Sequence, residues 1–278
     1  MPLKISSWNI EGRLSHSGAK HRGTPDKIFS AIKKLDADIL VLLEAHSEES
    51  LDDIAHAKQL ANLGYAVHSV PYQDDTYLRH DTYTDKLSLM LLSKLPIEKF
   101  EIIRLANVRN AFTAIINTDK NMTKIRVIGL HLDDRQESTR LSQVADLSII
   151  INQSQMPTIV LGDFNAMHGE DKWPAKFLKN KNITNILKIA SPVIAGRAIE
   201  MASGTALKLL ESNTNLVDVD GLHRPTTTPK FRGAEWLPSI RLIQIDHIFA
   251  SPSIKIASFE ISSDAGSDHR AISTTIKI

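Results

Sequence analysis

Thr158-Ile159-Val160-Leu161-Gly162-Asp163-Phe164-Asn165 decides how the rest of the chain is read. The apolar and β-branched run makes a buried strand, the glycine interrupts it, and Asp163 and Asn165, two residues apart, then project to the same side. A plain Asx turn also uses Asp and Asn after a strand. The glycine before the pair and the apolar run behind it favour a functional strand end.

The same ending recurs along the chain. Ser7-Trp8-Asn9 closes the run from Leu3, Leu42-Leu43-Glu44 the run from Ile39, and Gly129-Leu130-His131 the run from Ile125. Asp246-His247 lies within a strand pattern from Ile243 to Ala250, and Ser267-Asp268-His269 leads into a last strand, Ala271 to Ile276. Singly, each has an ordinary explanation: Asn9 a strand-end turn, Glu44 a capping acid, His131 a satisfied core histidine, Asp268 a loop anchor. Together they are what converging strand ends need to build an active site.

Further strands are expected at 87–92 and 111–116. Thr24-Pro25 caps a helix carrying Ile28, Ile32 and Leu35, and 48–62 reads as a second. A third, Ser138 to Gln153, places Leu141, Val144, Leu147 and Ile151 on one face, and others are expected at 174–179 and 198–212. This mixture gives an α/β chain with mixed sheets, and no linker or internal repeat divides residues 1–278, so a single domain is expected.

The 278 residues are 42% hydrophobic, enough for a large core, and the formal net charge of +1 is far from that of a dedicated DNA-coating protein. A polyanion would have to be gripped by a local patch. Arg13 to Arg22, with His16, Lys20 and His21, and the tyrosine-bearing stretch Tyr72 to Asp85 are such places; Trp173 and Trp236 suit stacking or packing equally. Arg109, beside Asn110 at a strand start, is a candidate for a substrate phosphate. His46, His56, His68, His80, His168, His223 and His247 read as surface or structural. With no cysteine, disulfides, thiolate metal sites and a Cys nucleophile are excluded. No leader pattern opens MPLKISSWNI and no apolar run nears the roughly 20 residues that span a bilayer, so a cytoplasmic chain without membrane anchor is expected.

In order from residue 9 to residue 269, WNI, LLE, GLHLD, GDFN, IDHIF and SDH resemble the motif series of the endonuclease/exonuclease/phosphatase superfamily, which includes exonuclease III and the apurinic endonucleases. The resemblance implies a DNase I-like four-layer α/β/β/α sandwich of two mixed sheets. It implies divalent-metal-dependent hydrolysis of phosphodiester bonds, with Mg²⁺ or Mn²⁺ held by Glu44, Asn9 and Asp268. Asp163 becomes the general base, Asn165 its partner on phosphate or water, and His269 the phosphate-contacting histidine oriented by Asp246. His131 becomes a second phosphate contact or the general acid. Arg140 and Gln143 resemble the Arg-x-x-Gln of several branches. Two departures stand out: Leu43 occupies a position where the family often has Gln, and WNIEGR carries Glu11 where related openings have Asp or Asn. Nucleic acid is the expected partner of a monomer, by nuclease or DNA end-processing chemistry. The alternatives are a small or lipid phosphodiester and a binding protein on the same scaffold.

Overall fold

The computed structural model describes residues 2–12, 14, 25–46, 51–71, 87–106, 109–118, 123–168, 176, 178, 180–190, 192–227, 243–263 and 266–277. Thr24, the stretch Arg13 to Arg22 apart from Leu14, Tyr72 to Asp85, Trp173 and Trp236 lie outside the described residues. In chain order the first elements are β1 (Pro2–Asn9), α1 (Pro25–Leu35), β2 (Ile39–His46), α2 (Leu51–Asn62), β3 (Ala66–Pro71) and β4 (Leu87–Ser93). Then come β5 (Ile97–Leu105), β6 (Arg109–Asn117), β7 (Lys124–His131), α3 (Glu137–Asn152) and β8 (Thr158–Asp163). The last are α4 (Lys181–Ala190), α5 (Pro192–Ala202), α6 (Thr205–Thr214), β9 (Val217–Asp218), β10 (Asp246–Ala250), β11 (Lys255–Ile261) and β12 (Ile272–Lys277).

The strands form two six-stranded sheets, ordered β11-β12-β1-β2-β4-β3 and β5-β6-β7-β8-β10-β9. Each holds one parallel pair, β1 with β2 and β7 with β8, and in both a helix (α1 or α3) makes the crossover that parallel strands require. All other pairs are antiparallel.

Period-two alternation then distributes the apolar side chains. Ile5, Val41 and Leu43 of the first sheet meet Phe112, Val127, Ile159, Leu161 and Ile248 of the second in a core between the sheets. Their neighbours point the other way. Leu40 and Leu42 pack under Ile28 and Ile32 of α1, while Ile128, Leu130, Val160 and Phe249 pack under Val144 and Leu147 of α3 and Leu207 and Leu210 of α6. Central strands are therefore apolar on both faces, which is why they read as unbroken hydrophobic runs. The result is the expected helix-sheet-sheet-helix sandwich.

Four strands were not expected: β3, β5, β9 and β11. All four are sheet edges. In β5 only Ile103 and Leu105 are buried, and β11 buries no residue fully. Edge strands with one wet side carry too few apolar residues to declare themselves. The helix expected at 198–212 is two helices, because Gly204 at φ 68° breaks the chain between α5 and α6. Of the helix expected at 174–179, only residues 176 and 178 are described, both helical, and a regular helix spans Lys181–Ala190. Its Asn, Thr and Ile content masks helical propensity. Among the described residues no helix is long and apolar enough to cross a membrane.

The parallel pair β7–β8 is tightest at Gly162, where φ is 153° and a Cβ atom would fall on the Leu130 carbonyl. Backbone cannot yield as a flexible side chain can. Gly162→Ala is therefore expected to cost at least about 2 kcal/mol in urea unfolding; a loss below ~0.5 kcal/mol would show that β7 and β8 can part without penalty.

Candidate active site at the sheet rim

The same alternation that fills the inter-sheet core delivers the polar residues to its end. Ile5 and Asn9 lie an even number of positions apart, as do Val127 and His131, Leu161 and Asp163, and Asp246 and Ile248. Each polar side chain thus continues an inward-facing row after the apolar residues stop. Strand register aligns three of them, since Asp163 is paired with His131 on one side and Asp246 on the other.

Glu44 reaches the rim by a different device. Leu43 belongs to the inter-sheet core and Ala45, two residues on, to the outer cluster, so the pleat changes parity between them. The β2–β4 register shifts between Leu42 and Ala45, and Glu44 is the extra residue, at φ 51°. The turn after β1 is hooked to this bulge: Ile10 N–H donates to Leu43 O at 3.0 Å and Gly12 N–H to Glu44 O at 2.8 Å.

Asp163 Oδ2 is the hub. Asn9 Nδ2 donates to it at 3.2 Å and to Glu44 Oε1 at 3.1 Å, while Asn9 Oδ1 accepts from the Glu11 N–H at 3.0 Å. His131 Nε2 lies 3.5 Å and His269 Nε2 3.8 Å from the same oxygen. Asp163 Oδ1 accepts the Asn165 N–H at 2.9 Å, and Asn165, at φ 49°, donates its side-chain amide to Leu132 O at 3.0 Å. Behind the hub, His269 Nδ1 donates to Asp246 at 2.9 Å, and Asp246 Oδ2 also accepts the hydroxyls of Thr226 at 2.6 Å and Thr227 at 2.9 Å. Trp8 Nε1 holds His269 O at 3.1 Å, and Ser267 Oγ joins Asn9 O at 2.7 Å to the His269 N–H at 3.1 Å.

These contacts sort the charges. Burial opposes a charge on His269, but the Asp246 carboxylate, followed by Asp268 and Asp163, raises its ring well above the ordinary value. Burial also opposes ionisation of Asp246, and the His269 charge with the bonds from His269, Thr226 and Thr227 outweighs it and lowers its pKa. His131 goes the other way: burial, then the charges of Arg109 and His269, push it well below the usual range, so its ring is neutral. Burial and the Asp246 charge push Asp163 up to about 7 against the pull of His269. Burial and the Asp268 charge raise Glu44, and the Asn9 hydrogen bond offsets part of that rise.

Asn9, Glu44, His131, Asp163, Asn165, Asp246, Asp268 and His269 are therefore near this rim, at differing depths. Asp268 stands at its edge, with Oδ1 4.0 Å from His269 Nε2. Arg109 is buried, pairs with Asp134 at 3.3 Å, and acts on His131 by its charge. Arg140 and Gln143 brace the loop after β7. Fully buried Arg140 donates to Asp133 O at 2.8 Å, Glu200 O at 2.6 Å and Glu137 Oε2 at 2.8 Å, while Gln143 Oε1 accepts the Asp133 N–H at 2.9 Å. Leu43 adds apolar packing between the sheets where a glutamine would add bonds. Thr226 and Thr227 were missed, with the threonine run at 226–228 as their signal, and Ser267 was quoted within the Ser267-Asp268-His269 motif without a role of its own.

Solved structures share the fold, among them the following three. An endonuclease/exonuclease/phosphatase from Beutenbergia cavernae DSM 12333 superposes with a TM-score of 0.69 at 18% identity, over 100% of this chain and 72% of that one. An AP endonuclease from Archaeoglobus fulgidus gives 0.66 at 15% identity, over 99% and 100% of the two chains. ANGEL2, a 2′,3′-cyclic phosphatase in complex with adenosine-2′,3′-vanadate, gives 0.66 at 14%, over 99% and 95%. No curated protein matches the chain by sequence. The sequence profile of the Endonuclease/Exonuclease/phosphatase family matches residues 6–269, from β1 to the His269 motif, and the chain belongs to that family.

Proposed function

We propose that this chain is a divalent-metal-dependent phosphodiesterase acting on nucleic acid, as a nuclease or a processor of DNA ends, in a reducing, cytoplasmic setting. The observation that carries the reading is the placement of two histidines in different settings around one carboxylate: His269, bonded behind to the Asp246 carboxylate, and His131, which feels the Arg109 charge, both within 4 Å of Asp163 Oδ2. Hydrolysis of a phosphodiester needs a base for water, positive charge for the phosphoryl oxygens and help for the leaving oxygen. Each role has an occupant.

Asp163, near neutrality in its pKa, takes the proton of the attacking water. Asn165 fixes the carboxylate through its backbone N–H; with Nδ2 committed to Leu132 O, Oδ1 is the atom through which it holds that water. His269, kept charged and correctly turned by Asp246, stabilises the charge that builds on the phosphoryl oxygens. His131 contacts the phosphate on the opposite side, and Arg109 adds positive potential behind it.

The donor set also fits a hard cation. Glu44 and Asp268 are close enough for each charge to oppose the other, and a divalent ion relieves that opposition. Asn9 turns Glu44 toward the ion and links it to Asp163. Asp163, Asp246 and His269 also bring ligand atoms within 4.8 Å of one another, but Asp246 is already engaged by His269 and two threonines, which favours the Glu44 side. When bound there, Mg²⁺ or Mn²⁺ supplies Lewis-acid stabilisation of the phosphoryl group.

Asp163→Asn is expected to lower kcat on bis-p-nitrophenyl phosphate or an oligonucleotide by about 10²–10⁴ with the fold retained by circular dichroism. Turnover near the parent rate would remove Asp163 as the base. EDTA should abolish cleavage and added Mg²⁺ or Mn²⁺ restore it; cleavage that resists chelation would remove the metal.

Asp246→Asn should drop the NMR-observed pKa of His269 by about one unit or more in metal-free protein, because burial is then opposed only by the weaker pull of Asp268 and Asp163. An unchanged value would place the source of the His269 charge elsewhere. Across a panel of abasic duplex, 3′-blocked and 5′-tyrosyl DNA, RNA, sphingomyelin and inositol phosphates, a nucleic-acid enzyme should bind with affinity that falls steeply with salt. Turnover confined to the small or lipid esters would overturn the substrate class.

A further inference from the structure

β10 presents Asp246 to the rim, and the next residue, His247, points through the sheet to the opposite face. There it is fully buried, with Nδ1 2.8 Å from Asp218 Oδ2 and Nε2 2.9 Å from Ala166 O. The His247 ring thus bridges the Ala166 carbonyl and the Asp218 side chain, which holds Asp218 in one orientation. Near that carboxylate stand two residues that the rim chemistry does not use, His168 in the loop after β8 and His223 in the loop after β9, and Glu211 on α6 contacts His168.

We propose that His168, Asp218, His223 and Glu211 form a second metal site, for a divalent transition ion of the Zn²⁺ type, on the far side of the sheet from Glu44. One ligand atom from each of His168, Asp218 and His223 lies within 4.8 Å of the others. His223 Nδ1 is 3.8 Å from Asp218 Oδ2, and His168 Nε2 is 3.3 Å from Glu211 Oε1. Ligand atoms about 2.0–2.1 Å from a tetrahedral ion stand roughly 3.3 Å apart. To reach that spacing the His168 and His223 rings, stacked with centroids 4.1 Å apart and 26° between planes, turn so that both lone pairs meet at the ion, and Glu211 swings in beside His168.

Two further features favour a metal over a cluster of ion pairs. The donor set of two imidazoles and two carboxylates is borderline in softness, suited to Zn²⁺ and poorly matched to Mg²⁺. The supports behind the ligands are also in place. His247 orients Asp218 as an outer partner, and the His223 loop is pinned by Asp220, whose carbonyl accepts the His223 N–H at 3.0 Å and whose carboxylate accepts from Leu222 N–H at 3.3 Å and Arg224 N–H at 2.9 Å. His168 and Glu211 keep 20% and 31% of their side-chain exposure, so an ion can enter from solvent. The bound ion would tie the segment leaving Asp163 to α6 and β9.

The test titrates Co²⁺ into chelator-treated full-length protein and follows the visible d–d absorption together with the thermal midpoint. One equivalent should give a tetrahedral spectrum and a higher midpoint in the parent and in Glu44→Gln. Both signals should disappear in His168→Ala and His223→Ala. Glu211→Gln, on the partly exposed face of α6 and therefore safe for folding, should weaken Co²⁺ by about tenfold or more. A tetrahedral spectrum that survives both histidine variants, that is lost in Glu44→Gln alone, or that never forms would overturn the site. None of these readouts depends on turnover, so failure of the phosphodiesterase reading leaves this one standing and the reverse.

Discussion

Burying two sheets against each other along their inward-facing rows is the constraint from which the rest of this molecule follows. The rows are apolar while they run between the sheets, and water begins where they end. Asn9, Glu44, His131, Asp163 and Asp246 occupy that boundary, recessed enough to feel low dielectric and close enough to interact. A carboxylate placed there alone would be costly. Asp246 is tolerated because a charged imidazole and two hydroxyls meet it. Asp163 is less well compensated, and this is why its proton affinity stands near neutrality.

What could be read directly from the amino-acid order follows the same logic. Strands apolar on both faces, such as β2, β7 and β8, are recognisable because both neighbouring layers demand hydrophobic side chains. β3, β5, β9 and β11 answer to one layer, and their exposed rows look like loop sequence. The rim residues were legible because each interrupts an apolar run in motif order. Their mutual arrangement was not: nothing in the order of residues distinguishes the charged His269 from the neutral His131, since the difference comes from Asp246 on one side and Arg109 on the other. Thr226 and Thr227 reach Asp246 across a gap of about twenty residues in sequence through an isolated bridge to Ile243 and His269, which no local pattern announces.

The Arg-x-x-Gln signature has a similar lesson. Arg140 and Gln143 lie on the helix after His131, and they hold the loop that leaves His131 by its carbonyl and amide groups. A buried guanidinium with three acceptors is a rigid strut, and lysine could not reproduce its planar fork. β10 makes the complementary point about economy of sequence: in adjacent positions Asp246 and His247 serve opposite faces of one strand, each as half of a buried histidine–carboxylate pair.

β1 and β12 are hydrogen-bonded neighbours, Leu3 beside Ile276 and Ser7 beside Ile272, and Ser267 reaches back to the Asn9 carbonyl. During synthesis, residues near 9 leave the ribosome long before residues near 269. Until the later ones emerge, the first sheet has an open β1 edge and Asp163 lacks its cationic neighbour. A half-made chain therefore presents no assembled rim. The pairing of the first and last strands thereby makes the assembled rim conditional on the final motif, however early its other members are made.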